Sequence, residues 1–362
     1  MTDKPKFLDF FAGAGLVTEA VKSHFDVVWA NDISAKKALV YQLNHRDDHF
    51  HLGSVADVSG AGIPSADVAW ASFPCQDLSL AGVQAGIQGK RSGMVWEWLR
   101  VIGEMENPPP ILVAENVLGL VSADAGIHYQ SLHLELVARN YRVGAMLLDA
   151  IDFLPHSRPR VFVVAVRSDI DVANFTQPEP GWQHPEAIVR ASRGLPDWVY
   201  WKLPKSTPRT SNLDSLIEWD APTDDEARAK KVLSLVSPLH QTRLLQELTN
   251  GFRVAPGYRR TRNGRQVLEL RFDGVAGCLR TPEGGSSRQV LVLRRDSHLA
   301  TRLVTARETA RLMGVSDSYK LPANYNDAYK AMGDAVAVPV VRHLARHLLA
   351  PLARACSAVA HT

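Results

Sequence analysis

The sequence predicts an α/β protein: a doubly wound sheet with helices on both faces, and a smaller domain inserted before the C-terminal segment. Three observations predict it. Up to residue 166, short apolar runs alternate with longer helix-compatible stretches, the pattern of βαβ units and a parallel sheet. From about 167 to 300 the texture changes, with prolines and tryptophans clustered as in "GLPDWVYWKLPKSTPRTS" (194–211). Beyond 300 helical texture returns. The chain has 362 residues. At roughly 100–200 residues per domain, that suits two domains or one domain with a large insert.

Taken in order, "FLDF" (7–10), "VVWA" (27–30), "VAWASF" (68–73), "ILVA" (111–114) and "VFVVAV" (161–166) read as strands. Short uninterrupted apolar runs suit strands buried on both faces and are too brief for helices. Leu16–His24, Ala35–Asn44, Met94–Met105 and Ile127–Arg139 fill the gaps as helices. Thr305 followed by Glu308 is a capping-box pattern, its hydroxyl and carboxylate placed to satisfy the first N–H groups of a helix. "GDAVAVPVVRHLARHLL" (333–349) reads as a final turn and helix. The expected division is residues 1–167 plus 286–362 as one domain, and 168–285 as the other.

Charge and cysteine usage narrow the class. Hydrophobic residues make up 46% and charged residues 22%, ordinary for a globular chain. The net charge is only +3, so any surface for a polyanion must be local. Residues 241–300 supply one, with eleven arginines against five acids. Such a stretch suits a DNA-facing region, because arginine pairs with guanine and with phosphate; it suits a solvated basic face as well. The three cysteines, Cys75, Cys278 and Cys356, form no CxxC pair. That argues against a disulfide framework or a zinc site, and for a reducing, cytoplasmic compartment. No signal-peptide core opens the chain, and no apolar run reaches the roughly 18 residues of a membrane span.

"FLDFFAGAGLVTEA" sets Gly13 and Gly15 between a strand and a helix, where glycine permits a tight turn and close approach of a ligand. Thr18 stands where the third glycine of a dinucleotide fingerprint would be. Asp32 follows at the end of the next strand, near the spacing of an acid that accepts ribose hydroxyls. Turn and acid point to a nucleotide, either a dinucleotide or S-adenosylmethionine. Cys75 in "SFPCQ" and Glu115 in "LVAENV" also end apolar strands. Four candidate positions therefore converge on the carboxyl rim of one sheet, where open α/β sheets bind ligands.

"DFFAGAGLVTEA", "NDIS", "FPCQDLSLAG", "GKRSG", "ENV", "RPRVFVVA", "RLVTARETARLMGVSDSYKLP" and "YKAMGDAVAVPV" come in that order. In this the chain resembles the cytosine-5 DNA methyltransferases, over residues 7–166 and about 276–348. The resemblance implies the Rossmann-like sheet of S-adenosylmethionine-dependent methyltransferases, with residues 168–285 as target recognition domain. It implies that Cys75 attacks ring carbon 6 of a flipped cytosine, that Glu115 holds the ring N3 and amine, that Arg160 bonds the ring carbonyl and that Arg158 assists. Phe11, Ala12, Gly13, Gly15, Leu16, Asp32, Ile33, Pro74, Asp334 and Ala335 are implied to hold S-adenosylmethionine. Gln76, Ser79, Arg91, Arg280, Ser286 and Arg288 are implied to face double-stranded DNA. A monomer without a metal ion is expected, with a companion restriction endonuclease as a partner the family allows.

Three departures stand out. His156 and Asp334 replace the family's usual glutamine and asparagine. Gly53-Ser54 replaces a glycine–acid pair, with Asp57 the nearest acid to substitute. Other readings of the same residues are a cytosine-5 methyltransferase acting on tRNA, a catalytically dead DNA-binding regulator, and a nicotinamide-dependent dehydrogenase. The large insert favours DNA over tRNA; the intact Cys75, Glu115 and Arg160 argue against a dead regulator; the Pro-Cys-Gln and Glu-Asn-Val set has no role in a dehydrogenase.

Overall fold

The computed structural model describes residues 4–74, 93–280, 288–295 and 298–359. Two compact units divide the chain: Met1–Asp149 with Pro159–Ser206 and Pro339–Thr362, and Ala150–Arg158 with Thr207–Val338.

The first unit is built on seven strands: β1 (Lys6–Phe10), β2 (Asp26–Asp32), β3 (Phe50–Leu52), β4 (Val68–Ala71), β5 (Ile111–Val117), β6 (Tyr141–Asp149) and β7 (Pro159–Arg167). Their order across the sheet is β3-β2-β1-β4-β5-β7-β6. Helices α1 (Leu16–Val21), α2 (Ala35–Asn44), α3 (Met94–Glu104), α4 (Gly119–Ser122) and α5 (Ile127–Ala138) connect them. All four residues of β4 are buried, and so are six of the seven in β5. Side chains of both parities are therefore covered, as a doubly wound sheet requires. One face packs Leu8, Phe10, Ala71 and Ala114 with Val95, Trp98 and Leu99 of α3 and Leu132 of α5. Across the other face Phe7, Trp70 and Phe162 form an aromatic row with centroids 6.4 Å and 5.8 Å apart.

The sheet is mixed, which corrects the expected parallel one. β7 runs antiparallel to both β5 and β6. Only nine residues, Ala150–Arg158, separate β6 from β7, fewer than the dozen or more of a parallel crossover. β3 and β6 were not foreseen: β3 is three residues long with an exposed end, and β6 carries charges at Arg142 and Asp149.

After β7 this unit continues through β8 (Thr176–Gln177), α6 (Glu186–Ser192) and β9 (Tyr200–Trp201), β8 pairing with β9, and takes in the closing helices from Pro339. Trp201 anchors the segment by donating Nε1–H to Val164 O at 3.0 Å. That is why residues 168–206 stay with the sheet, although the insert was expected to begin at 168.

In the second unit α7 (Glu226–Leu233) and α8 (Pro238–Thr249) precede an antiparallel sheet of β10 (Val254–Arg262), β11 (Arg265–Leu270), β12 (Val290–Arg295) and β13 (His298–Leu303), ordered β11-β10-β12-β13. Its core joins Val232, Leu244, Ala255, Leu268 and Val292. The β10–β11 turn is Asn263-Gly264, both at positive φ (49° and 75°), the hairpin geometry these two residues favour. Helices α9 (Ala306–Leu312) and α10 (Tyr325–Asp334) complete the unit. The capping box at Thr305 and Glu308 forms as the sequence predicts. Glu308 also grips the buried Arg302 at 2.5 Å. Residues 286–338 fall with this unit, where the sequence placed them with the cofactor domain, because β12, β13 and α9 share its sheet and ion pairs. α11 (Val338–Leu344), a π-helical turn (Ala345–Leu349) and α12 (Ala350–Val359) end the described chain. No helix among the described residues is long and apolar enough to cross a membrane.

Candidate active site

The turn between β1 and α1 is strained where a ligand would sit. Phe11 holds φ 57°, Gly13 φ 57° and Gly15 φ 83°. A bulky residue in the left-handed region is a genuine outlier, and such outliers cluster at functional sites. Gly15 has no alternative: a Cβ there would lie 2.5 Å from the His45 ring. Asp32, 7% exposed, ties the turn to β2. Its Oδ2 accepts from Gly13 N at 2.9 Å and its Oδ1 from Ser34 N at 2.8 Å. A carboxylate has about four lone-pair sites, so two backbone bonds leave room for ribose hydroxyls. Ile33, immediately after, is 73% exposed, an apolar face of the kind an aromatic base covers. Ala12 and Leu16 bury their side chains, so what they can offer a ligand is backbone.

Beneath the turn runs a polar network. Thr18 donates its hydroxyl to Asp9 Oδ2 at 2.8 Å and lies 3.1 Å from the Tyr41 hydroxyl, which meets His49 Nε2 at 2.9 Å. The missing third glycine is thereby explained: Thr18 satisfies a carboxylate that β1 buries completely. Burial pushes that carboxyl from 3.8 up to about 7; the Thr18 hydrogen bonds pull it down, and the charge of Asp32 pushes it up. Burial likewise lowers His45 to about 4, so the ring that meets Gly15 O at 3.0 Å is neutral at physiological pH.

At the end of β4 the chain passes through Phe73 to an exposed Pro74. Asn116 donates Nδ2–H to Phe73 O at 2.9 Å, tying this exit to β5. Cys75, Gln76, Ser79 and Arg91 follow, and they lie outside the described residues, as does Ser286.

Glu115 is 6% exposed. Its Oε1 lies 3.1 Å from Arg160 Nε. The register pairs Glu115 with Phe162 and Val117 with Arg160, so Glu115 and Arg160 are diagonal neighbours on one face, within reach of long side chains. An antiparallel β7 brings its first residues to the carboxyl end of β5, which is how a strand start and a strand end share one rim. Arg160 offsets the cost of burying the Glu115 carboxylate.

Arg158 belongs to the other unit. It is 1% exposed within the second unit, where it donates to Leu279 O at 3.1 Å and Gly333 O at 2.8 Å, and also bonds Ala335 O. A guanidinium so enclosed clamps backbone, a structural role beside the assisting one that the resemblance implies. His156 lies in the same unit, fully buried, with Nδ1 on Leu312 O at 2.9 Å and Nε2 accepting from Leu279 N at 3.3 Å. One donor and one acceptor are what a glutamine amide would present there. Asp334 ends α10 exposed, with Ala335 half-buried after it; both belong to the second unit. Arg280 is exposed. Arg288 sits over the Tyr325 ring at 5.4 Å and bonds Asn326. Where the family has its second acid, Ser54 caps the turn Val55–Asp57, and Asp57 is exposed.

A mixed seven-stranded sheet with one antiparallel strand, a glycine turn and an acid ending the next strand define a nucleotide-binding α/β enzyme of the methyltransferase class. Comparison with known proteins makes the class specific. The model of the C-5 cytosine-specific DNA methylase family matches residues 5–350. Type II methyltransferase M.HhaI of Haemophilus parahaemolyticus is 25% identical over 348 residues, covering 95% of this chain and 94% of that one. Type II methyltransferase M.Bsp6I of Bacillus sp. (strain RFL6) is 25% identical over 346 residues, covering 93% and 96%. Among solved structures, S. pombe Dnmt2 methyltransferase shares the fold at TM-score 0.61 and 16% identity, covering 94% of this chain and 97% of that one. The chain belongs to the C-5 cytosine-specific DNA methylase family. It is a DNA (cytosine-5) methyltransferase, and its methyl donor is S-adenosylmethionine.

Proposed function

We propose that this enzyme extrudes a cytosine from duplex DNA and methylates ring carbon 5 through a covalent adduct on Cys75. The observation that carries the reading is the buried Glu115–Arg160 pair at the strand rim, one hydrogen bond from the exit of β4 toward Cys75. A base inside a duplex is out of reach of such a rim, so it must flip out. The Cys75 thiolate adds to carbon 6, and the electron pair of the ring double bond moves to carbon 5. Glu115 holds N3 and the amine, stabilising charge as it shifts around the ring. Arg160 orients Glu115 and donates to the ring carbonyl. S-adenosylmethionine, when bound, supplies the electrophilic methyl. Loss of the carbon-5 proton then returns the pair to the ring and expels the thiolate.

The backbone of Phe11, Gly13 and Gly15, the Asp32 carboxylate and the Ile33 face are the residues that would hold the donor, with Asp334 and Ala335 assigned there by family pattern. The strained Phe11 and the half-satisfied Asp32 fit that group. Target reading falls to the second unit, whose β10–β11 hairpin exposes Thr261, Arg262, Arg265 and Gln266; a two-stranded ribbon fits the major groove. Membership of a restriction–modification or solitary DNA methylation system, and monomeric action, complete the proposal.

Bisulfite sequencing of DNA from a host expressing the chain tests it. Conversion-resistant cytosines within one short sequence are expected, and they disappear with Cys75→Ser. Methyl transfer to tRNA with none to duplex DNA would contradict the reading.

A further inference from the structure

The first unit carries a basic surface that the methyl transfer does not use. Lys4 precedes β1, and Lys22 and His24 lie between α1 and β2. All three therefore sit at the amino ends of the strands, the edge opposite the glycine turn, Asp32 and Glu115. Lys4 donates Nζ–H to Lys22 O at 2.8 Å. Lys4, Lys22 and Arg46 line one open cavity of about 450 Å³. The closing helices bring Arg342, Arg346 and Arg354 to the same place. His24 registers them: after burial, the charges of Arg346, Arg354, Lys4 and Arg342 hold its pKa below the ordinary value.

The three arginines are exposed and spaced four and then eight residues apart. Four residues return close to one turn, whereas eight in a regular α-helix drift by roughly 80°. The π-helical turn Ala345–Leu349 contains Arg346 and runs into the longer interval, and its wider turn takes back part of the drift. A single stripe of guanidinia results, about 18 Å long at 1.5 Å per residue. Among the acids at this edge Glu19 holds Lys22 at 2.7 Å, Asp48 holds Arg46 at 3.1 Å and Asp169 holds Arg167 at 2.7 Å; Asp26, and Asp67, which accepts from Lys6 N and whose charge reaches Cys356 on α12, lie there as well.

We propose that this surface is a second phosphate-binding site, which takes the backbone of duplex DNA away from the target pocket. It rests on duplex DNA being the substrate. A strand carries one phosphate per 3.4 Å of axis, so an 18 Å stripe spans on the order of five. Guanidinium pairs with phosphate in a fork that ammonium cannot match. Contacts of this kind carry no sequence information and hold an enzyme on DNA between targets.

The test replaces Arg342, Arg346 and Arg354 together by alanine, and in a second variant by lysine. Binding of a labelled random-sequence duplex is followed by anisotropy across a salt series. The slope of log Kd against log salt should fall in magnitude by about 2–3 in the alanine variant, at ~0.9 per phosphate. The lysine variant should keep the slope, and methyl transfer at saturating DNA should be unchanged in both. An unchanged slope in the alanine variant overturns the proposal. So does an intact slope with lost sedimentation on phosphatidylserine vesicles, which assigns the stripe to a membrane. Failure of the wild-type enzyme to methylate DNA would strike the proposed function while leaving the slope readable.

Discussion

Arg160 Nε stands 3.1 Å from Glu115 Oε1, with both side chains mostly removed from water. Neither residue owes this to its neighbours in sequence: β5 supplies one, the antiparallel β7 the other. Glu115→Gln should lower kcat by about 10²–10³-fold, the usual effect of losing one group aimed at developing charge, with DNA affinity little changed. Arg160→Ala should cost about 3–5 kcal/mol of stability, because it takes the guanidinium from a buried carboxylate. Urea unfolding of the single variants and the double variant checks this; the double should be more stable than Arg160→Ala.

Asp32 anchors the turn with one oxygen and Ser34 with the other. Asp32→Asn turns an amide donor toward one of those N–H groups. Donor binding, followed by calorimetry, should weaken at least about tenfold, and kcat at saturating donor should move less. An unchanged Kd would remove Asp32 from the cofactor site.

Asp9 makes its own contribution to the pH dependence of stability. Its carboxyl is raised from 3.8 to about 7 in the folded chain, so the native state binds the extra proton between those values. Its contribution is fully present below about 3.8 and is lost as pH rises through about 7, on the order of 4 kcal/mol in all at 1.36 kcal/mol per pH unit. The lowered pKa of His45 works the other way over part of that range, so the readout is a difference: the stability of Asp9→Asn relative to wild type should rise as pH climbs through the window. Thermal unfolding at stepped pH gives the comparison.

Arg158 is a test of structure against chemistry. Arg158→Ala should destabilise the chain by several kcal/mol, since it leaves the carbonyls of Leu279 and Gly333 without their donor. Lysine should not restore what a planar fork provides. If Arg158→Ala instead folds normally and loses only turnover, the clamp is not its role.

What the sequence made legible depended on locality. β1, β2, β4, β5 and β7 announced themselves because strands buried on both faces are continuously apolar. Capping at Thr305 was equally plain, since both partners lie within one turn. β6 hid behind Arg142 and Asp149, and with it the reversal that makes the sheet mixed. The Glu115 partner was out of view for the same reason. Motif order assigned Arg158 to chemistry, but order carries no burial. Thr18 looked like a blemish in a glycine fingerprint until Asp9, nine residues earlier, gave its hydroxyl a purpose.

The central claim concerns one sulfur atom and one ring carbon. Duplex DNA carrying 5-fluorocytosine at the methylated position lacks the proton whose loss releases the enzyme, so turnover should stop at the adduct. Incubated with S-adenosylmethionine, the protein should form a denaturant-stable complex with that DNA, and mass spectrometry should locate the linkage at Cys75. No complex, or one that survives Cys75→Ser, would contradict the account.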